Sequence, residues 1–231
     1  MVAAKASGGR ALRLVGAPLL ALLGTAALAG CGSSPRAPVT STASTSATKN
    51  GCTVVTLPPL GARKQPKPTA LLPAGVHYDV TFLTNCGSFT VRIDQAAAPR
   101  AAASFVALVR HGFFDRTIFH RIAVGFVIQG GDPTGQGSGG PGYLTVDPPA
   151  ATSAYTHGVV AMAKTGAQAP GTAGSQFFVV TEPNAGLPPL YAIIGKVTAG
   201  LSVVDRIGTL GDANQAPTMV VEIERATVAS S

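Results

Sequence analysis

Tryptophan is absent from the 231-residue chain, and charged side chains make up only 12% of it. Acidic residues are the scarcer sign, ten against seventeen basic ones, for a formal net charge of +7. That excess is not a nucleic-acid footprint, because it is confined to one end. Lys5, Arg10 and Arg13 lie at the start, and Arg36, Lys49, Arg63, Lys64 and Lys67 all precede Val76, so the remainder is close to neutral. No nucleic-acid partner is expected. Also missing is an apolar run long enough to span a bilayer: the uncharged stretch 14–28 falls short of the roughly 20 residues required. With a basic start and small residues at its end, the segment 1–30 reads instead as a secretory signal. Cysteine is equally scarce, at positions 31, 52 and 86.

Leu28, Ala29, Gly30 and Cys31 resemble the lipobox of bacterial exported lipoproteins. The resemblance implies a diacylglycerol thioether on Cys31 and a mature chain anchored to the outer face of the cell membrane. Ordinary signal cleavage, leaving a secreted protein, is the alternative. One acyl chain holds a protein to a membrane only marginally, whereas a diacylglycerol with a further acyl chain holds it firmly. Residues 31–50, nearly all Ser, Thr, Ala and Pro, cannot bury apolar surface and read as a disordered tether. Residues 51–75 form a Pro-rich basic pre-domain segment that is either packed on the domain or further linker. With Cys31 taken by the anchor, Cys52 and Cys86 remain as an even pair in an oxidising compartment and are expected to form a disulfide. Two unrelated thiols are the alternative.

From residue 76 onward the pattern is mainly β. Val76, Tyr78, Val80 and Phe82 alternate with polar residues, as do Phe89, Val91 and Ile93 beyond a turn at 85–87. Pro99 opens a helix with Ala102, Phe105, Val106 and Val109 on one face, and Gly112 ends it. Short strands follow at 118–121, 126–129, 158–163, 176–181, 192–197 and 219–226, with a second helix at 201–207. Eight strands and two helices suit a closed antiparallel barrel, since closure removes exposed edges.

Two stretches carry the chemistry. Residues 118–132 read I-F-H-R-I-A-V-G-F-V-I-Q-G-G-D, and residues 174–181 read G-S-Q-F-F-V-V-T. A guanidinium at Arg121, a ring at Phe126 and a carboxamide at Gln129 are not the choice of a plain core. With G-x-G-G at 137–140 and M-A at 162–163 between them, these motifs resemble the cyclophilin-type peptidyl-prolyl cis-trans isomerases over residues 76 to about 228. The resemblance implies a cyclophilin-like barrel, its ends capped by the two helices, that assists the folding of exported proteins, with no cofactor and no metal, acting as a monomer on proline-containing polypeptides. It further implies that Arg121, Phe126 and Gln129 are catalytic. Val127, Gly137, Met162, Ala163, Lys164, Gln176, Phe178, Leu187 and Tyr191 would contact substrate, with Phe126, Met162 and Phe178 walling a pocket for the proline ring. A proline-binding or chaperone module with weak turnover is the alternative on the same fold.

The chain departs from eukaryotic members at Val127, where they tend to have Met, and at Lys164, where they have Asn. Residues 182–191 replace a Trp-Leu segment; Leu187 matches the Leu, and Tyr191 falls where a His stands. A cyclosporin-type ligand is the further partner that the resemblance implies, and the missing indole sets its affinity in question.

The Gly-rich stretch 130–142 has no Lys-Ser/Thr at phosphate-loop spacing. Gln136 stands where a hydrolase elbow needs glycine. G-S-G-G-P at 137–141 echoes trypsin-like proteases, but Gly137 replaces the Asp expected before Ser138. Rotation about a peptide bond needs no nucleophile. Its barrier of about 18 to 20 kcal/mol is lost conjugation, so a fixed cationic donor beside the twisting proline nitrogen suffices.

Overall fold

The structure, a computed structural model, describes residues 47–231. The expected signal, the lipidation site Cys31 and most of the tether lie outside the described residues. Strands β1 (Thr48–Lys49) and β2 (Cys52–Thr53) pair around Asn50 and Gly51, both at positive φ (53° and 75°). Asn-Gly favours this geometry because its twist matches that of the flanking strands. A small hairpin thus straddles the composition change at Gly51.

Strands β3 (Tyr78–Thr84) and β4 (Gly87–Ile93) form the expected hairpin, with Tyr78, Val80, Phe82, Phe89, Val91 and Ile93 buried. Helix α1 (Pro99–Arg110) starts on its proline without a local side-chain cap. Its free N-terminus is served from a distance: the buried Asp147 carboxylate accepts the Ala101 N–H at 2.6 Å, an anion where the helix dipole favours one. Gly112, at φ 63°, leads the chain out.

The strands β5 (Thr117–Ile118), β6 (Arg121–Ala123), β7 (Val127–Gly130), β8 (Thr145–Val146), β9 (Val159–Met162), β10 (Thr172–Ala173), β11 (Phe177–Val180) and β12 (Ile193–Ala199) follow. Helix α2 (Leu201–Gly208) and strand β13 (Glu222–Ser230) complete the order. A nine-stranded antiparallel sheet runs β5-β13-β3-β4-β12-β9-β11-β7-β6, and β8 pairs with β10 beside it. The expectation of a mainly β, antiparallel, two-helix fold holds, with a refinement. The closed eight-stranded barrel is a nine-stranded sheet curled into a half-barrel, whose seam carries, among the described residues, a single bridge, Ile118 to Asp132. The extra strand arises because the apolar run at 118–122 is divided. Its start lies beside β13 at one edge of the sheet, and Arg121 onward lies beside β7 at the other.

Seven of the nine phenylalanines, at 82, 89, 105, 113, 114, 119 and 177, are buried in the interior core. Their rings interlock, Phe82 with Phe89 at 5.0 Å and Phe105 with Phe177 at 5.4 Å and 89°. Such contacts add to the area they bury.

Residues 51–75 pack on the domain. Thr53 exchanges hydrogen bonds with Asn85, Arg63 donates to the Phe113 and Asp115 carbonyls, and Leu72 packs on the core. Cys52 and Cys86 are joined in a disulfide across a separation of 34 residues. Closing a loop of that length restricts the unfolded chain by roughly 3 to 4 kcal/mol. The double substitution Cys52→Ser with Cys86→Ser should therefore lower the unfolding free energy by about that amount. Denaturant titration of the oxidised wild type against the variant measures it, and equal midpoints would refute it.

Candidate active site

Period-2 alternation sorts the strand side chains onto two faces. Ile122, Ile128, Val160, Met162, Phe177 and Val179 join the interior core. Their neighbours Ala123, Val127, Val159, Ala161, Phe178 and Val180 form a second apolar cluster on the outer face. Phe126, Ala163, Leu187 and Tyr191 pack on that cluster and stay partly exposed. Met162, expected to wall the proline pocket, is therefore in the barrel interior, and Ala161 and Ala163 on either side of it face outward. The side-chain period leaves no other outcome once Phe178 faces out, because Phe178 is the register partner of Ala161.

Register places the polar groups in the same row. Arg121 is opposite Gln129, and Gln129 is opposite Phe178. Gly125, at φ 68°, turns the chain between β6 and β7 and brings the Phe126 ring centroid to 6.0 Å from Arg121 Cζ.

Arg121 donates through Nη1 to Gln129 Oε1 at 3.1 Å and through Nε to Gln215 Oε1 at 2.7 Å. Gln129 Nε2 donates to Gln176 Oε1 at 3.0 Å, and Gln176 Nε2 to the Gly139 carbonyl at 3.0 Å. Each carboxamide accepts from one side and donates to the other, so the series has one direction and begins at the guanidinium. Of the five N–H groups of an arginine, three stay without a partner among the described residues. Burial draws the Arg121 pKa below an ordinary arginine value, while the Tyr191 hydroxyl opposes the shift; the group remains a cation. The His120 ring nitrogens are buried without partners among the described residues, and burial lowers its pKa.

Tyr155 and Gln215 went unmarked in the sequence. Tyr155 is fully buried, and its hydroxyl donates to the Tyr191 carbonyl at 2.8 Å and accepts the Tyr191 N–H at 2.9 Å. This holds Tyr191 edge-on to Phe178, with centroids 5.4 Å apart. Lys164 Nζ lies 5.6 Å from the Tyr191 ring centroid and donates to the Thr165 and Gln168 carbonyls. Gln215 is in the left-handed region (φ 65°) in a turn built on Asp212, whose carboxylate accepts the Asn214 and Ala216 N–H groups. The Gln215 carbonyl accepts the Ile122 N–H at 2.9 Å, so backbone and side chain both reach β6. Only the D-A-N-Q run hints at such a turn, and nothing local says what it faces.

Beside the apolar face lies a cavity of about 560 Å³, lined in part by Gln129, Gly137, Ala163, Lys164 and Gln176. Gly137 is exposed at its rim, at φ 84°. The structure thus brings Arg121, Phe126, Val127, Gln129, Phe178, Leu187 and Tyr191 together, sets Gly137, Ala163, Lys164 and Gln176 around the adjoining cavity, and separates Met162 from both. Among the described residues no three His, Cys, Asp or Glu side chains gather as metal ligands.

Residues 79–228 match the family of cyclophilin-type peptidyl-prolyl cis-trans isomerases. The chain belongs to that family and is a peptidyl-prolyl cis-trans isomerase. It is 38% identical over 155 residues to a peptidyl-prolyl cis-trans isomerase-like 1 of Emericella nidulans, covering 65% of this chain and 94% of that protein. It is 37% identical over 161 residues to the isomerase CYP18-2 of Arabidopsis thaliana, covering 68% and 96%. Among solved structures, a Cryptosporidium parvum cyclophilin superposes with a TM-score of 0.61 at 32% identity, over 67% of this chain and 99% of that one. The same protein in the presence of the dipeptide Ala-Pro gives 0.60 at 31%, over 66% and 99%.

Gln215→Ala frees one edge of the guanidinium without touching the apolar face. Misplacement of the guanidinium should lower kcat about tenfold and leave KM within about twofold. Steady-state isomerisation of an Ala-Pro peptide measures both, and an unchanged kcat would refute the role.

Proposed function

We propose that this isomerase turns Xaa-Pro bonds in exported proteins at the outer face of the membrane, with Arg121 as the catalytic cation. Supporting the assignment is one observation above others: the guanidinium is gripped by two neutral carboxamides and keeps three N–H groups for a ligand, beside an apolar face rimmed by the partly exposed Phe126, Leu187 and Tyr191. In planar Xaa-Pro the nitrogen lone pair is spread into the carbonyl and accepts no hydrogen bond. As the bond twists it localises, and a cationic N–H held beside it binds the twisted state more tightly than either planar one. Each 1.4 kcal/mol of that difference is about tenfold in rate.

Phe126, Phe178, Leu187 and Tyr191 would receive the ring, and Val127 would back Phe126. Gln129 would orient Arg121. Ala163, Lys164, Gln176 and Gly137 would run beside the flanking peptide. Exchanging the ring of proline between its two orientations needs a surface that grips without directional bonds, which an apolar face provides. A cyclosporin-type ligand would lie on the same face, where the chain has no tryptophan to offer it.

The setting rests on the leader and on Cys31. A chain held at the membrane surface by Cys31 would meet substrates as they emerge unfolded, when their prolines are still equilibrating in tens of seconds.

Arg121→Ala should lower kcat/KM by about 10² to 10³ while peptide affinity, followed by titration calorimetry, stays within a few-fold. Retained turnover would sink the assignment to Arg121; lost turnover together with lost binding would recast the residue as a binding group. For the anchor, Cys31→Ser expressed in a lipoprotein-processing bacterium should move the protein from the detergent phase to the aqueous phase. A wild-type protein already in the aqueous phase would mean simple secretion.

A further inference from the structure

A glycine-rich loop is a poor wall for a binding cavity, because each glycine gives up much conformational freedom when held still. Residues 130–142 carry seven glycines, yet their second half, 137–142, lines the cavity beside the apolar face. Two inner attachments restrain them. The buried Asp132 carboxylate accepts the Thr134 and Gly139 N–H groups, and Gln176 donates to the Gly139 carbonyl. Burial pushes the Asp132 carboxyl up, but these donated bonds outweigh it and hold it below the usual carboxylate range.

The outer restraint comes from a segment ahead of the family-matched residues. Gly61 N–H donates to the Pro133 carbonyl at 2.9 Å, and Gln65 N–H to the Pro141 carbonyl at 3.0 Å. The two bonds bracket the loop at its ends. Between them Leu60 fills the space over Gly135, where a β-carbon would stand 2.6 Å from Leu60 Cδ1. The Lys64 methylenes cover Gly142 in the same way, at 3.5 Å. The segment is itself fixed. Arg63 donates to the Phe113 and Asp115 carbonyls at 2.6 and 2.8 Å, and Lys67 to the Leu144 carbonyl at 2.8 Å. The Cys52–Cys86 disulfide ties its beginning, and Gln95 holds the Pro73 and Val76 carbonyls at its end.

We propose that residues 60–67 are a brace that sets the shape of the glycine-rich wall and thereby the preference of the enzyme for the substrate residue flanking the Xaa-Pro pair. The inference rests on the isomerase reading of the adjoining site. The brace touches no reacting atom, so its residues are positioning residues. They act through the loop on what the cavity accepts, and leave the rotation step at Arg121 as it is.

The test compares wild type with the double variant Leu60→Ala, Arg63→Ala on peptides Xaa-Ala-Pro-Phe with Xaa as Gly, Leu or Glu. Gly61→Ala is the control, since an added β-carbon there meets nothing within 4 Å and the N–H is kept. Loosening the wall should compress the ratio of kcat/KM between the best and worst Xaa about fivefold, the scale of one lost hydrogen bond, through KM and not kcat. Amide hydrogen exchange at 133–142 should accelerate in the double variant and not in the control. Because the ratio is internal to one sample, a partly unfolded fraction cancels from it. Should the double variant fail to fold, Gly61→Pro, which deletes one donor, gives the same reading. An unchanged ratio with a loosened loop overturns the proposal, as does unchanged exchange. Wild type that isomerises none of the peptides would instead overturn the isomerase reading, while the exchange arm still reports on the brace.

Discussion

Arg121 is half withdrawn from water against aromatic rings, and no carboxylate answers it among the described residues. None of the four ion pairs found there includes it. What holds it is a pair of neutral acceptors, the Gln129 and Gln215 carboxamides. A carboxylate in either place would fix the guanidinium as well, but would cancel its field over the apolar face, where the proposed mechanism puts the proline nitrogen. Carboxamides orient without neutralising. The rest of the site serves this arrangement: register sets Gln129 opposite Arg121, the Asp212 turn aims Gln215, and Gln176 and Gly139 keep the Gln129 carboxamide from rotating.

The apolar half of the site is a by-product of the sheet's two faces. Seven phenylalanines pack the interior so closely that the strands have little freedom to shift, and the side-chain period then sends Phe178, Ala161 and Val127 outward. Phe126 and Phe178 are the two phenylalanines left outside the interior core. A rigid interior and a partly wet exterior cluster therefore share the same short strands. Tyr155 joins the outer cluster to the loop beyond it by satisfying both backbone groups of Tyr191 with one buried hydroxyl. A buried hydroxyl without partners would be expensive, so that position is constrained from both ends.

The segment before residue 76 belongs to the same logic. Glycines allow the wall of the cavity to approach Leu60 and Lys64 closely, and the close approach lets a short extended chain hold them. Extended chain has backbone donors to spare, since it forms no ladder of its own. Gly61 and Gln65 spend theirs on the carbonyls of Pro133 and Pro141. The N-terminal segment thus meets the family domain at this loop as well as at Asn85, Cys86, Phe113 and Asp115.

Residues 118–132 and 174–181 carried the strands, the family and the guanidinium in plain view, because alternation and short motifs are local properties. The pairing of Cys52 with Cys86 was legible from counting once the lipobox resemblance had set Cys31 aside. Met162 was misplaced for a definite reason: a motif tells which residues stand near a site, whereas the face each one takes depends on a register that only pairing with Phe178 supplies. Gln215 was invisible because its partner is 94 residues away, and the packing of residues 51–75 because extended chain has no period to read. What the amino-acid order determined by itself was the set of strands and the chemistry available to them. Which side chains share a surface was decided only by the closing of the sheet, since hydrogen bonds between distant strands, and not any local preference, bring the Arg121, Gln215 and Gly139 segments within reach of one another.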